Sequence, residues 1–325
     1  RLRGVPALAD VDTSLALLQA VGADAQRCGA DICTRPADAL CGEIPDYLAG
    51  AMRSSVFYLA PLLCRAGYVR LPLPGGCRLG PRPVDIHLAG LASMGAEVEL
   101  EGIAVTLRRK GPLHGVDFTL RLPSVGATMT LLMAACCAQG RTVLRGAARE
   151  PEIGDMIAFL CACGADVSGY GTSILTVQGG RPLSGAVHAP LPDRIAAATY
   201  AAALAAAGGD IRITSCNPAL YGAFLQFLAQ TGVQIEKGPD WPATPPCRCG
   251  AGCSFVPTPG PPLPPTPHPW QPPYCWRQKG RAKFLTACSP TALPAPQVLP
   301  PWGQDAAPPG VHFIWTAAQP CTEPR

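Results

Sequence analysis

Four stretches of the chain share one pattern of apolar and polar positions: LALLQAVGADA, LAGLASMGAEVEL, MIAFLCACGADVSG and FLQFLAQTGVQIE. In each, leucine or a similar residue recurs at helical spacing, and a glycine follows the last turn. The next residues alternate as a strand does. The glycines are Gly22, Gly95, Gly164 and Gly232, spaced 73, 69 and 68 residues apart. Glycine there suits the left-handed position that ends a helix. Upstream lies a second recurring piece, GYVRLPL, GRTVLRG and GGDIRIT, each a glycine turn leading into a short alternating strand. Asp12, Asp85 and Asp155 stand nine or ten residues before three of the glycines, as expected of acids near helix N-termini. The repeating unit is therefore strand, loop, helix, glycine and strand pair. Its period exceeds that of ordinary solenoids, so the pattern predicts an α/β domain closed from a few such units.

Composition changes that picture in one place. All five tryptophans and 22 of the 38 prolines lie after residue 240. Residues 1–240 hold 20 basic and 20 acidic side chains, so the net charge of +4 comes entirely from the last 85 residues. No basic cluster marks a nucleic-acid face. No apolar run reaches membrane-spanning length, and RLRGVPALADVDTS has no signal-peptide core, so a cytoplasmic protein with reduced thiols is expected. Most of the 16 cysteines then read as small apolar residues, Cys161 and Cys163 among them. From residue 241 the chain runs WPATPPCRCGAGCSFVPTPGPPLPPTPHPWQPPYCW, too proline-rich for helix or central strand. Residues 241–325 read as a disordered tail or the product of a shifted reading frame. The spacing of Cys247, Cys249 and Cys253, with His268, is a weak zinc pattern, and no metal is assigned.

Several motifs carry candidate chemistry. In LPLPGGCRLGPRPVDIH, Gly75 and Gly76 free the backbone beside Cys77, and Arg78 and Arg82 favour its thiolate. Pro83 restricts Arg82 to an extended shape suited to gripping phosphate. His87 reads equally as a ligand or as a structural hydrogen-bonder. In PSVGAT, Ser124 is a good N-cap for TMTLLMAACCA, and such a helix end binds anions. Arg121, adjacent to Leu122, is expected on a strand, where it points to the opposite face. Arg53 opens a helix in MRSS, while Arg149, Glu150, Asp193 and Arg194 read as structural.

These motifs, MRSSVFYLAPLLCRAG, LPGGCRLGPRPVDIHLAGL, PSVGATMTLLMAA, GAAREPEIGD and LPDRI, resemble in that order the UDP-N-acetylglucosamine 1-carboxyvinyltransferases, which are enolpyruvyl transferases of the EPSP synthase group. The resemblance spans about residues 4–240. It implies the enolpyruvyl transferase fold, an inside-out α/β barrel of three βαβαββ-type repeats. On that reading residues 1–191 form the nucleotide-sugar domain and 192–240 hold one repeat of an incomplete second domain. It further implies transfer of the enolpyruvyl group of phosphoenolpyruvate to the 3-hydroxyl of UDP-N-acetylglucosamine, with release of phosphate. That is the first committed step of peptidoglycan synthesis, and so of cell wall biogenesis, cell shape and cell division. No cofactor is implied, nor any nucleic-acid or membrane partner, and a monomer is expected. Cys77 takes the place of the loop cysteine that acts as general acid. Arg53, Arg82, Pro83, Val84, Asp85 and Ile86, with Ser124, Val125 and Gly126, take the substrate-binding places. Two departures stand out: Leu122 replaces a lysine that some members carry, and Ala196 replaces a glutamate. The chain begins after the segment that supplies a phosphoenolpyruvate-binding lysine, and leaves the family pattern before the catalytic base. It is therefore expected to be inactive alone. The alternative is a non-catalytic domain that binds UDP-sugar. A shikimate-pathway transferase is disfavoured by PGGC and RPVD, and PPLPPTP leaves room for an interaction tail.

Overall fold

The computed structural model describes residues 1–72, 84–207, 211–213, 216–230 and 232–237, and the backbone of 253–257, 275–278 and 281–284. Contacts divide the chain into two units, Arg1–Leu191 and Pro192–Arg325.

In the first unit, helix α1 (Ala9–Ala20) leads to a hairpin of β1 (Asp24–Cys28) and β2 (Asp31–Arg35). One turn, α2 (Asp46–Ala49), and a 3-10 segment (Arg53–Tyr58) run into α3 (Leu59–Ala66), then β3 (Tyr68–Pro72), α4 (Asp85–Ser93), β4 (Glu97–Glu101) and β5 (Ala104–Arg108). The third portion holds β6 (Asp117–Thr119), α5 (Val125–Cys137), β7 (Arg141–Arg145), α6 (Pro151–Ala162), β8 (Asp166–Ser168) and β9 (Ile174–Gln178). Gly22, Gly95 and Gly164 follow α1, α4 and α6 with φ of 89°, 103° and 102°, the left-handed conformation that their placement predicts.

The three portions form sheets of one design. The third sheet runs β6-β7-β9-β8, with β6 parallel to β7 and the other pairs antiparallel. The second runs β3-β5-β4, and a parallel bridge from Glu43 to Arg70 of β3 stands where β6 stands in the third. The first is completed from both ends of the unit. Leu2 bridges β2 at Ile32 on one side and, in parallel, His188 on the other. Arg3 N–H donates to the His188 carbonyl at 2.8 Å, and His188 N–H donates to the Arg1 carbonyl at 2.9 Å. A side-chain contact reinforces this closure: His188 Nε2 lies 2.9 Å from Asp155 Oδ1, and Asp155 Oδ2 accepts from Leu191 N–H. Asp155 is thus not at a helix start as its spacing suggested. It is the fifth residue of α6, and its work is to hold the returning segment.

The core explains why the sheets lie outside. VGATMTLLMAACC is apolar nearly all round, and a helix of that kind must be surrounded. Leu131, Leu132, Ala134 and Ala135 of α5 are fully buried, as are Leu59, Ala60 and Leu63 of α3, which packs against it. The inner strands β5 and β7, each paired on both edges, are buried over Ala104–Leu107 and Thr142–Leu144. The outermost strand β4, EVELE, is exposed throughout, and its three glutamates discourage edge pairing with another chain.

The second unit holds α7 (Arg194–Ala207), β10 (Ile211–Ile213), a 3-10 turn (Pro218–Tyr221), α8 (Gly222–Gln230) and β11 (Val233–Lys237). Asp193 caps α7, its Oδ1 accepting from the N–H groups of Ile195 and Ala196 at 2.9 Å. Gly232 again has positive φ, 89°. Backbone strand β12 (Cys253–Pro257) pairs antiparallel with both β10 and β11, and β13 (Cys275–Gln278) pairs with β14 (Arg281–Phe284). Among the described residues no helix is long and apolar enough to cross a membrane.

A helix-start pole as the candidate substrate site

Three helical segments of the first unit begin close together. The contacts between α4 and α5 fix their relation. Arg121, just before α5, reaches Asp85 at the start of α4, with 2.5 Å between Nη2 and Oδ2. His87 Nδ1 lies 2.9 Å from Thr130 Oγ1. Its ring stands over Gly126, where an added Cβ would lie 3.2 Å from Cε1. One turn on, Gly90 accommodates the Leu131 side chain. The two helices therefore run side by side in the same direction, with Asp85 and Ser124 at one pole. Phe57, in the 3-10 segment that Arg53 opens, reaches the same spot, 3.9 Å from the added Cβ.

Each element starts here for a local reason. Ser124 is extended, and its side chain accepts from Ala127 N–H at 3.3 Å, the N-cap that PSVGAT predicts. Pro123 ends any strand before it. Sequence reasoning misplaced Arg121 for that reason: β6 stops at Thr119, and Arg121 lies in the following bend, free to turn toward α4. The proline two residues later was the available signal. Cys161, expected in the core, is likewise exposed on the outer face of α6, while Cys163 is buried.

The electrostatics of the pole favour holding an anion over moving a proton. The Arg121 hydrogen bond keeps the Asp85 carboxyl below the usual carboxylate range. Burial first, and the Arg53 charge second, push the His87 pKa down to about 4. His87 is therefore neutral at physiological pH and acts as the buried hydrogen-bonding alternative. Unused N–H groups at helix starts add positive potential, and Gly126 lets a ligand approach the backbone. The pole thus combines a helix-start cradle with the guanidinium of Arg53.

The candidate residues distribute as follows. Arg53, Asp85, Ser124, Val125 and Gly126 gather at this pole. Val84 and Ile86 are also there, but their side chains are buried in the core, so they can offer a ligand mainly backbone atoms. Cys77, Arg82 and Pro83, together with Cys247, Cys249 and His268 of the weak zinc pattern, lie outside the described residues. Among the described residues no group of three metal-ligating side chains is found. Of the four residues read as structural, Glu150 accepts from Arg149 N–H at 2.9 Å and Asp193 is the cap described above.

The family model for EPSP synthase (3-phosphoshikimate 1-carboxyvinyltransferase) matches residues 1–250. The chain belongs to the EPSP synthase family. Within it, the chain is 41% identical over 242 residues to UDP-N-acetylglucosamine 1-carboxyvinyltransferase of Cellvibrio japonicus, covering 74% of this chain and 58% of that protein. It is 45% identical to the protein of the same name from Acidiphilium cryptum, covering 73% and 56%. The chain thus spans a little over half the length of these curated relatives. Among solved structures it is similar to the enolpyruvyl transferase NikO from Streptomyces tendae, with a TM-score of 0.66 and 23% identity over 80% of this chain and 60% of that one. It is also similar to EPSP synthase from Acinetobacter baumannii, with a TM-score of 0.56 and 19% identity over 79% and 60%. These likenesses show the enolpyruvyl transferase fold, and the EPSP synthase family is the frame for its three-sheet unit.

Proposed function

We propose that the first unit is the nucleotide-sugar domain of an enolpyruvyl transferase acting on UDP-N-acetylglucosamine and phosphoenolpyruvate. The observation that carries the proposal is the convergence of Arg53, Ser124 and Gly126 at one pole, where a diphosphate meets a cation and helix-start N–H groups together. The names of the curated relatives support the choice of UDP-N-acetylglucosamine as acceptor. The reaction adds the sugar 3-oxygen, which gives up its proton, to the central carbon of phosphoenolpyruvate while the methylene carbon gains a proton; loss of a proton from the resulting methyl group then expels phosphate and restores the carbon–carbon double bond. In this reading Cys77, in the stretch that joins β3 to α4, gives a proton to the methylene carbon, and Arg82 holds charge near both substrates. The product serves peptidoglycan synthesis, which places the protein in the cytoplasm.

The 325-residue chain by itself is proposed to bind the nucleotide sugar without turning it over. Acceleration by preorganised charge requires groups from both domains in place, and the likeness to the relatives covers only 58% of their length. The test is a phosphate-release assay with phosphoenolpyruvate, run with and without UDP-N-acetylglucosamine. No release above background is expected. Release that depends on the sugar and vanishes in Cys77→Ser would overturn the inactivity and would support the role given to Cys77.

A further inference from the structure

Three sheets of the molecule are built around a central strand, and in one of them that strand comes from far along the chain. In the second sheet β5 lies between β3 and β4, and in the third β9 lies between β7 and β8, antiparallel to both neighbours each time. In the second unit β12 lies between β10 and β11, again antiparallel to both. The register agrees as well. Ala104, the first residue of β5, stands opposite Pro72 and Glu101, the last residues of β3 and β4. Cys253, the first residue of β12, stands opposite Ile213 and Lys237, the last residues of β10 and β11.

The connections differ. Two residues, 102–103, separate β4 from β5, and five, 169–173, separate β8 from β9. Fifteen residues, 238–252, separate β11 from β12. The chain therefore passes the point where a hairpin would supply the central strand and fills that place from the proline-rich region. The sequence allows it there: CRCGAGCSFV, residues 247–256, holds no proline, and Pro257 is the last residue of β12. A further proline-free run, residues 274–289, contains β13 and β14, which pair with each other.

We propose that the facing edges of β10 and β11 form a strand-binding slot and that Cys253–Pro257 is its occupant, which makes this part of the tail a working element of the second unit. With neighbouring strands about 4.8 Å apart, β10 and β11 lie roughly 10 Å from each other, too far for direct hydrogen bonds. Without β12 the N–H and C=O groups on their facing edges would have no partner in the sheet. Neither strand is peripheral, since Ile213 and Val233 are buried with Leu204, Leu225 and Leu228 in the core of the second unit. An extended segment satisfies both edges through its backbone, the mode by which a peptide adds to a sheet. The slot is independent of the helix-start pole, which belongs to the first unit.

Hydrogen exchange of the full chain, read by mass spectrometry, tests the proposal. In the wild type, amides of β10, β11 and β12 are expected to be protected together, to the same degree at low and high protein concentration. Phe255→Pro removes a ladder N–H from the middle of β12 and fixes the backbone there. Protection of β10 and β11 should then fall about ten-fold or more, while α5 of the first unit keeps its own. Wild-type β12 amides that exchange at the rate of an unstructured peptide would overturn the proposal. So would β10 and β11 amides that Phe255→Pro leaves unchanged. Protection that rises with protein concentration would assign the strand to a second copy and overturn the occupant named here.

Discussion

Acid should weaken the first unit through His87, and the structure sets both the sign and the size. His87 is 5% exposed and bonded to Thr130, with Arg53 and Asp85 as charged neighbours and Arg121 beyond Asp85. Its pKa falls from 6.5 to about 4 on folding. Between those values the unfolded chain binds a proton that the folded chain refuses, so stability rises with pH across the window and is lost as pH falls through it. At about 1.4 kcal/mol per pH unit the loss amounts to about 3 kcal/mol from one residue. The perturbation that isolates it is His87→Gln, which keeps an amide to meet Thr130 and removes the titration. Its packing cost is independent of pH and cancels when slopes are compared. Urea unfolding should be followed by circular dichroism, because all five tryptophans lie after residue 240, outside the residues of this unit. The wild type should lose about 3 kcal/mol more than the variant between about pH 6.5 and pH 4. Asp31, Asp85 and Asp117 have carboxyls held below the usual range, and they are present in both proteins. Parallel stability curves for the two proteins would refute the reasoning.

Other consequences are as direct. Ser124→Ala removes the acceptor for Ala127 N–H and should cost about 1 kcal/mol in urea unfolding, with Ser124→Thr largely neutral. Asp155→Ala breaks the contacts to His188 and Leu191, so hydrogen exchange at Arg3 and His188 should speed up while the interior of α5 stays protected. Gly115→Ala would put a Cβ 2.2 Å from the Arg141 carbonyl oxygen, in backbone that cannot yield, and should cost about 3 kcal/mol or more by thermal or urea unfolding. Gly111→Ala, where an added Cβ meets nothing within 4 Å, should be close to neutral in the same measurement.

Much of this architecture is legible in the chain because local signals agree with the global fold. The four glycines 68 to 73 residues apart end helices at left-handed backbone, and the alternating stretches after them are strand pairs. Ser124 caps a helix apolar enough to be surrounded. The failures share one cause. Arg121, Asp155 and Cys161 were each placed from spacing along the chain, whereas their surroundings are set by neighbours distant in sequence. Arg121 meets Asp85, 36 positions away, and Asp155 meets His188, 33 positions away. The same limit hid the closure of the first sheet by Leu2 and His188, since no periodicity joins two ends of a unit.

The central claim is that the helix-start pole takes a nucleotide sugar. The most direct measurement is calorimetric titration of the 325-residue chain with UDP-N-acetylglucosamine and, separately, with shikimate 3-phosphate, repeated on Arg53→Ala. The account predicts saturable binding of the nucleotide sugar, weakened about ten-fold or more by loss of the Arg53 guanidinium, and no saturable binding of shikimate 3-phosphate. Binding of the shikimate ligand in preference, or nucleotide-sugar binding that Arg53→Ala leaves unchanged, would contradict it.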